Sequence, residues 1–386
     1  MTCYFRAVTV SFLVTLCVLG GVARASADII LSTSFRYDHA RDNDSPRTQG
    51  DEYTVPLGIA YRGTRFSLGV ETAYSDAYVE TGADADSHLA GFTDMLLSAS
   101  YSHAFAERPV ALMLGVDVSL PTGRERLNNE EVGAEWGESN DLFEVDNFGE
   151  GLNIGVSAGV VRQFRDKTTA TVQIAYIVNG PFDPTKDVED DDLDPGDQFL
   201  IMGILDWQAA PWLHVNTFGS YSHVGADTTD GQKNFRQGDQ VVLGSNVTLL
   251  REPFSLFTGV QTSLPAKNSV LTEDALKQEA DNSNGIDLFA ITALNYAWSS
   301  QLTLKLQGDI RYYGESDLRN KHNDRPFSGT RIRYAAGPGC HVGLNPHLSL
   351  SGALKLFLME HERDAFLDES RTYRGINLDV SMTYML

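Results

Sequence analysis

Ile376-Asn377-Leu378-Asp379-Val380-Ser381-Met382-Thr383-Tyr384-Met385-Leu386 is the stretch that decides the fold. Ile376, Leu378, Val380, Met382, Tyr384 and Leu386 fall on one face of an extended chain, and Asn377, Asp379, Ser381 and Thr383 on the other. Side chains of a strand alternate with period two, whereas a helix gathers its apolar residues every three or four positions. The same alternation starts after residue 27, where Leu31, Thr33, Phe35 and Tyr37 oppose Ser32, Ser34, Arg36 and Asp38. Between these ends it marks sixteen segments, near 28–39, 50–62, 64–79, 90–105, 109–120, 150–164, 168–182, 197–209, 211–224, 238–250, 253–264, 285–298, 300–314, 328–344, 346–360 and 371–386. Fourteen is the alternative count, since segment ends are the least sharply written part of a sequence.

The connections alternate too. Arg62-Gly63-Thr64, Glu107-Arg108, Arg165-Asp166-Lys167, Ala210-Pro211, Arg251-Glu252, Ser299-Ser300 and Asn345-Pro346 are tight, and between them run long polar loops that include 121–149, 183–196, 225–237 and 265–284. Short periplasmic turns and long outer loops are the habit of outer-membrane barrels. The expected fold is therefore all-β, a closed antiparallel transmembrane barrel with acidic extracellular loops. Closure is required because lipid offers an open sheet edge no hydrogen-bond partner. A soluble solenoid or a pair of sandwiches competes with this reading, and aromatic spacing weighs against both. Tyr53 and Tyr61, Phe66 and Tyr74, and Phe199 and Trp207 each lie eight residues apart on the expected outer face. At ~3.3 Å per residue and ~40° of tilt that spacing is roughly 20 Å, close to the height of an apolar band.

Residues 1–27 read as a cleaved signal peptide, and 28–386 as the barrel. Arg6 precedes the apolar run Ala7–Val22, and Ala25-Ser26-Ala27 supplies a small-x-small cleavage site. A retained transmembrane helix is the weaker reading, because polar, strand-like sequence follows at once. Leu16 stands before Cys17 where a lipid-attachment signal needs a small residue. Cleavage removes Arg6 and Arg24 and no acid, taking the formal charge from −22 to −24. So acidic a chain is a poor partner for nucleic acid. It keeps Cys340 as its single thiol, so no internal disulfide is expected. A slightly negative mean hydropathy decides nothing, since only alternate barrel residues face lipid.

One repeat is visible. Segments 106–123 and 250–267 share Pro109/Pro253, Leu112/Leu256, Gly115/Gly259, Val116/Val260 and Ser-Leu-Pro at 119–121 and 263–265. Hairpin duplication or common strand chemistry would each produce it.

Gly91-Phe92-Thr93-Asp94 opening a strand, Val118-Ser119-Leu120-Pro121-Thr122-Gly123 closing one and Pro195-Gly196-Asp197 opening another give the chain a family likeness. It resembles the meta-pathway phenol-degradation transporters, outer-membrane proteins distantly related to the long-chain fatty-acid channels. The resemblance covers most of the chain after residue 27 and implies a barrel that passes small hydrophobic or aromatic compounds. It implies no catalytic or binding residue. Fatty-acid channels carry an N-terminal hatch, whereas here the first strand directly follows the expected cleavage site, so any plug must come from folded loops. The aromatic residue usual at the end of such barrels is replaced by Leu386.

The inward phase of the strands divides the lumen. An apolar wall is expected from Leu200, Met202, Ile204, Phe218, Val242, Phe257, Phe289 and Ile291, and a charged wall from Arg36, Arg65, Glu71, Lys305, Asp309, Arg311, Arg331, Arg333, Lys355 and Asp379. A conduit for amphipathic molecules needs apolar contact for the body and cations for a carboxylate or phenolate. The blander reading has the charges pairing across the lumen and the apolar residues packing against inward-folded loops. Clustered acids in 183–197 lack the regular ligand spacing of a calcium loop, and a solvated, self-repelling loop is expected there. Neither Ser102-His103 nor Ser222-His223 can form a catalytic pair, since neighbours on a strand point to opposite faces. His214 and Asp206 share a face without a nucleophile motif. No enzyme activity, cofactor or metal is therefore expected. Partners expected are membrane lipid and lipopolysaccharide, a small hydrophobic or aromatic solute and the barrel-assembly machinery. The function expected is passive passage of that solute, the alternatives being a structural barrel with a blocked lumen or a general porin.

Overall fold

The computed structural model describes residues 28–386 apart from 43–47, 82–85, 107, 129–130, 132–147, 165–166, 187–191, 274, 321–324, 366 and 368. The expected signal peptide, 1–27, lies outside the described residues. Alternating sequence becomes strand almost throughout: β1 (Asp28–Asp42), β2 (Thr48–Arg62), β3 (Phe66–Thr81), β4 (Ser87–Phe92), β5 (Met95–Ala104), β6 (Val110–Leu120), β7 (Asn153–Phe164), β8 (Thr168–Asn179), β9 (Leu193–Asp194), β10 (Gln198–Ala210) and β11 (Leu213–Val224). There follow β12 (Asp227–Thr229), β13 (Gln232–Arg236), β14 (Gln240–Arg251), β15 (Phe254–Pro265), β16 (Ser269–Thr272), β17 (Ala275–Gln278), β18 (Asp287–Ala297), β19 (Leu302–Tyr313), β20 (Arg331–Gly343), β21 (Leu348–His361) and β22 (Arg371–Met385).

Seventeen of these form one antiparallel sheet. Both β4 and β5 pair with β3, end to end, through Tyr74↔Phe92 and Glu71↔Leu96. They share one stave, which makes sixteen staves. The sheet closes where β1 meets β22, in register from Ile30↔Met385 to Asp42↔Tyr373. Closure removes the edges that lipid could not satisfy.

Exposure separates the two faces. Leu68 is 53% exposed and Val172 57%, while the inward Ala40 and Met359 are at 0%. Outward aromatics form two belts. Tyr61, Phe66, Trp207, Phe254 and Trp298 lie near the short turns, and Tyr53, Tyr74, Phe92, Tyr176 and Tyr221 near the long loops. A closed barrel with an apolar outside, short turns at one end and long loops at the other spans the outer membrane. No helix among the described residues is long and apolar enough to cross a membrane.

Two features depart from the sequence reading. The fourth stave, expected as 90–105 without a break, is interrupted at Thr93-Asp94. There the Asp94 carboxylate accepts the Gly123 N–H and the Glu150 N–H, each at 2.8 Å, and the Met95 N–H goes to Thr122 Oγ1 at 2.9 Å. The Asp94 N–H in turn reaches the Phe148 carbonyl. Backbone groups that would have continued the ladder are thus spent on holding both ends of the 121–150 loop. Inside the barrel, Leu127 and Phe148 from that loop bury Leu89. The second departure is a small sheet in which three outer loops pair in the order β17-β16-β13-β12-β9.

Candidate functional site in the lumen

All eight expected apolar residues occupy inward positions, on β10, β11, β14, β15 and β18. Their outward neighbours Ile201, Tyr221, Leu243, Val260 and Leu288 are exposed, whereas none of the eight is. Register brings them together. Ile204 faces Phe218 across β10 and β11, Phe218 faces Gly244, Met202 and Val242 flank Ser220, and Phe289 and Ile291 face Gln261 and Gly259. The Phe218 ring lies over Gly244, where a Cβ would come within 2.2 Å of it and force the ring aside. The apolar sector ends at β19, where Phe289 pairs with Arg311 and Ile291 with Asp309.

From that line the lumen is ionic, and most of its charges are matched. Asp309, its side chain 4% exposed, accepts Lys355 Nζ at 2.8 Å and Arg333 Nη1 at 3.3 Å. Arg333 Nη2 donates to Asn377 Oδ1 at 2.6 Å, and Asn377 reaches on to Asp38. Arg36 pairs with Asp379 at 3.1 Å, and Arg311 with Asp287 at 3.0 Å. The Arg311 and Arg331 guanidinium carbons lie 4.5 and 4.6 Å from the centroid of Tyr313, and that of Arg333 lies 4.7 Å from the Phe357 centroid. Nearer the long loops Arg371 pairs with the buried Asp42 at 3.1 Å. Three expected members stand apart. Glu71 and Lys305 occupy inward positions but remain exposed, and Arg65 belongs to the turn between β2 and β3, at the short-turn mouth.

Sequence reasoning missed Asp38, Asp42, Glu52, Asp287, Tyr313, Phe357, Arg371 and Asn377. All sit on the inward phase, so their direction could have been read. Their pairing could not, because it depends on which staves meet and at what stagger. Buried Glu52 is a case in point, held by the hydroxyls of Ser75 at 2.9 Å and Thr54 at 3.3 Å.

A second group of contacts ties loop to loop. Glu131 is paired with Arg124, lies 3.7 Å from Lys186 and accepts the Asn128 N–H at 2.9 Å. Burial pushes its carboxyl up, but that N–H and the two cations outweigh burial and hold it below the usual glutamate range. Asp183 of the acidic loop pairs with Arg126 at 2.7 Å, and Asp197 accepts the Tyr176 hydroxyl at 2.6 Å. Among the described residues no three His, Cys, Asp or Glu side chains gather as metal ligands. His214 lies 3.5 Å from Asp206, whose carboxylate takes its shorter bond from Asn216 at 2.8 Å. His223 and Tyr221 both meet Asp239, while Ser222 occupies the opposite face.

No protein-family model matches the chain, and no curated protein matches it either. Among solved structures it is similar to an outer membrane channel from Pseudomonas putida F1, at 10% identity and a TM-score of 0.42, covering 95% of this chain and 97% of that one. A monoaromatic hydrocarbon channel matches at 13% identity and a TM-score of 0.41, covering 93% and 88%. An anion-selective porin from Comamonas acidovorans matches at 11% and 0.42, covering 94% and 100%. None of these likenesses carries a residue's role to this chain.

Proposed function

We propose that the barrel is a channel for passive passage of small hydrophobic or aromatic compounds. The observation that carries this reading is the division of the lumen. A mainly apolar sector from Leu200 to Ile291, interrupted by Ser220 and Gln261, adjoins an ionic one along the β18–β19 ladder, with Lys305 exposed below it toward the short turns. An aromatic body would slide on the apolar side while an anionic group met the cations. Because Arg333 is already engaged by Asp309 and Asn377, Lys305 is the better place to look for attraction of a solute anion.

Two buried lumenal clusters favour a second reading, the plugged barrel. One joins Ala40, Ala335, Phe357, Met359 and Tyr373, and the other Leu89, Leu127 and Phe148. Liposome flux separates the two. For a conduit, Phe257→Asp with Phe289→Asp slows uptake of an aromatic carboxylate, and Lys305→Glu slows the anion more than its neutral analogue. For a plugged barrel, Leu127→Asp with Phe148→Asp raises ion conductance while the first three changes leave aromatic flux at background. Assembly is checked throughout by the gel shift on boiling.

A further inference from the structure

Arg41 on β1 and Arg374 on β22 are direct cross-strand partners at the seam where the barrel closes. Both are exposed and point outward, since their neighbours Ala40, Asp42 and Tyr373 are buried on the inward side. Neither has a hydrogen bond or ion pair among the described residues. Like charges directly opposite on a strand pair are destabilising, and a chain of net charge −22 has no general excess of cations to place there. Around the same rim, beginning with Asp51 diagonal to Arg41, acids are engaged by the aromatic belt. Tyr37 donates to Asp51 at 2.6 Å, Tyr78 to Asp86 at 2.8 Å and Tyr221 to Asp239 at 2.6 Å.

Beneath the arginines the wall is apolar on β21 and β22, while on β1 His39, one outward step below Arg41, meets Asp51 at 3.0 Å. Ile376, Leu378 and Val380 descend β22, Leu358, Leu356 and Leu354 descend β21, and Tyr37 stacks on Tyr53 at 4.9 Å between centroids. The cations therefore stand at the upper border of the lipid-facing band, one outward step above Ile376 on β22. That is headgroup level, where a lipid phosphate lies when its acyl chains run down the wall. Two guanidinium forks side by side suit a phosphate, which accepts paired N–H bonds from each. We propose that Arg41 and Arg374 form a binding site for the phosphate of an anionic glycolipid in the outer leaflet. The apolar wall contributes the remaining affinity through the acyl chains, so a free phosphate ion would bind weakly. The site lies outside the lumen and is independent of what the channel passes.

The test uses the full barrel in detergent with three probes: phosphorylated lipid A, the same lipid dephosphorylated, and inorganic phosphate. R41Q/R374Q should bind phosphorylated lipid A roughly thirtyfold more weakly than wild type, the factor expected of two cations at an anionic surface. Dephosphorylated lipid should bind both proteins equally, and R319Q/R363Q, which changes two loop arginines, should match wild type. Unchanged binding by R41Q/R374Q overturns the site. Inorganic phosphate binding as tightly as the lipid overturns the lipid assignment. If the glutamine variant does not assemble, R41K/R374K keeps the charge and loses the fork: weaker binding than wild type supports the site, and equal binding overturns it.

Discussion

Asp309 holds two cations on one carboxylate, Lys355 through Oδ2 and Arg333 through Oδ1, with almost no surface of its own left open. Removing that charge leaves two half-buried cations facing each other across an uncharged side chain. Asp309→Asn should therefore destabilise the barrel by ~3–5 kcal/mol, the usual cost of breaking a buried pair, read as a lower urea midpoint in lipid vesicles. Replacing all three by apolar residues of similar volume should recover part of the loss. On the other face, Leu68→Arg and Val172→Arg should each impair assembly by ~2–4 kcal/mol, because they carry charge into the apolar band. The inward control is Gln173→Arg. Gly69, although inward, is the poorer control, because a Cβ there would lie 2.4 Å from the Ser98 hydroxyl and oblige it to turn away. Equal tolerance at Val172 and Gln173 would contradict the assignment of faces. Direction was legible in the alternation at each of these positions. The company that each residue keeps was not, since Asp309 and Lys355 are 46 residues apart and meet only after the staves are in register.

Signature motifs acquire a mechanical sense at the level of the element. The Gly91-Phe92-Thr93-Asp94 and Pro121-Thr122-Gly123 stretches, read separately as strand-end signals, are joined by the Gly123 N–H to Asp94, and Thr122 accepts the N–H of the next residue, Met95. The internal repeat has a shared role as well. Pro109 accepts the Gln163 N–H and Pro253 the Ala297 N–H, each joining a turn to the next stave. Nothing in the sequence advertised the small outer sheet, because β9 is only two residues long and its partners lie in other loops. Two of these loop regions should respond to acid with opposite signs. Glu131 titrates below its ordinary range, so its contribution is present above that range and is lost as pH falls through the lowered value. Asp227 on β12 is pushed up by burial despite accepting the Gly196 N–H, so its charged form burdens the fold. The outer sheet should gain stability as pH falls through that raised value. Hydrogen exchange at neutral and acidic pH, corrected for intrinsic rate, should show 121–131 loosening in acid and 227–236 tightening. Glu131→Gln should abolish the first change, and Asp227→Asn should slow exchange of 227–236 already at neutral pH.

For the whole molecule, the alternation of short turns with long loops was enough to foresee a closed barrel of sixteen staves. Its heat-modifiable migration and its recovery from the outer membrane, beginning at Asp28, are the expected outcomes at this scale. Recovery from the soluble periplasm would contradict them. What the lumen contains was not legible, because the inward traffic of loops depends on contacts between segments such as Leu127 and Pro184, whose backbones meet at 3.2 Å. The outer sheet has a consequence of another kind. Its strands come from three loops in three different hairpins, so no one of them presents that surface alone. An antibody raised against it would bind the intact cell and fail on a denaturing blot. Sequence drift in any one of these loops is likewise answerable to the other two, and the face shown to a host or a phage can change only in concert.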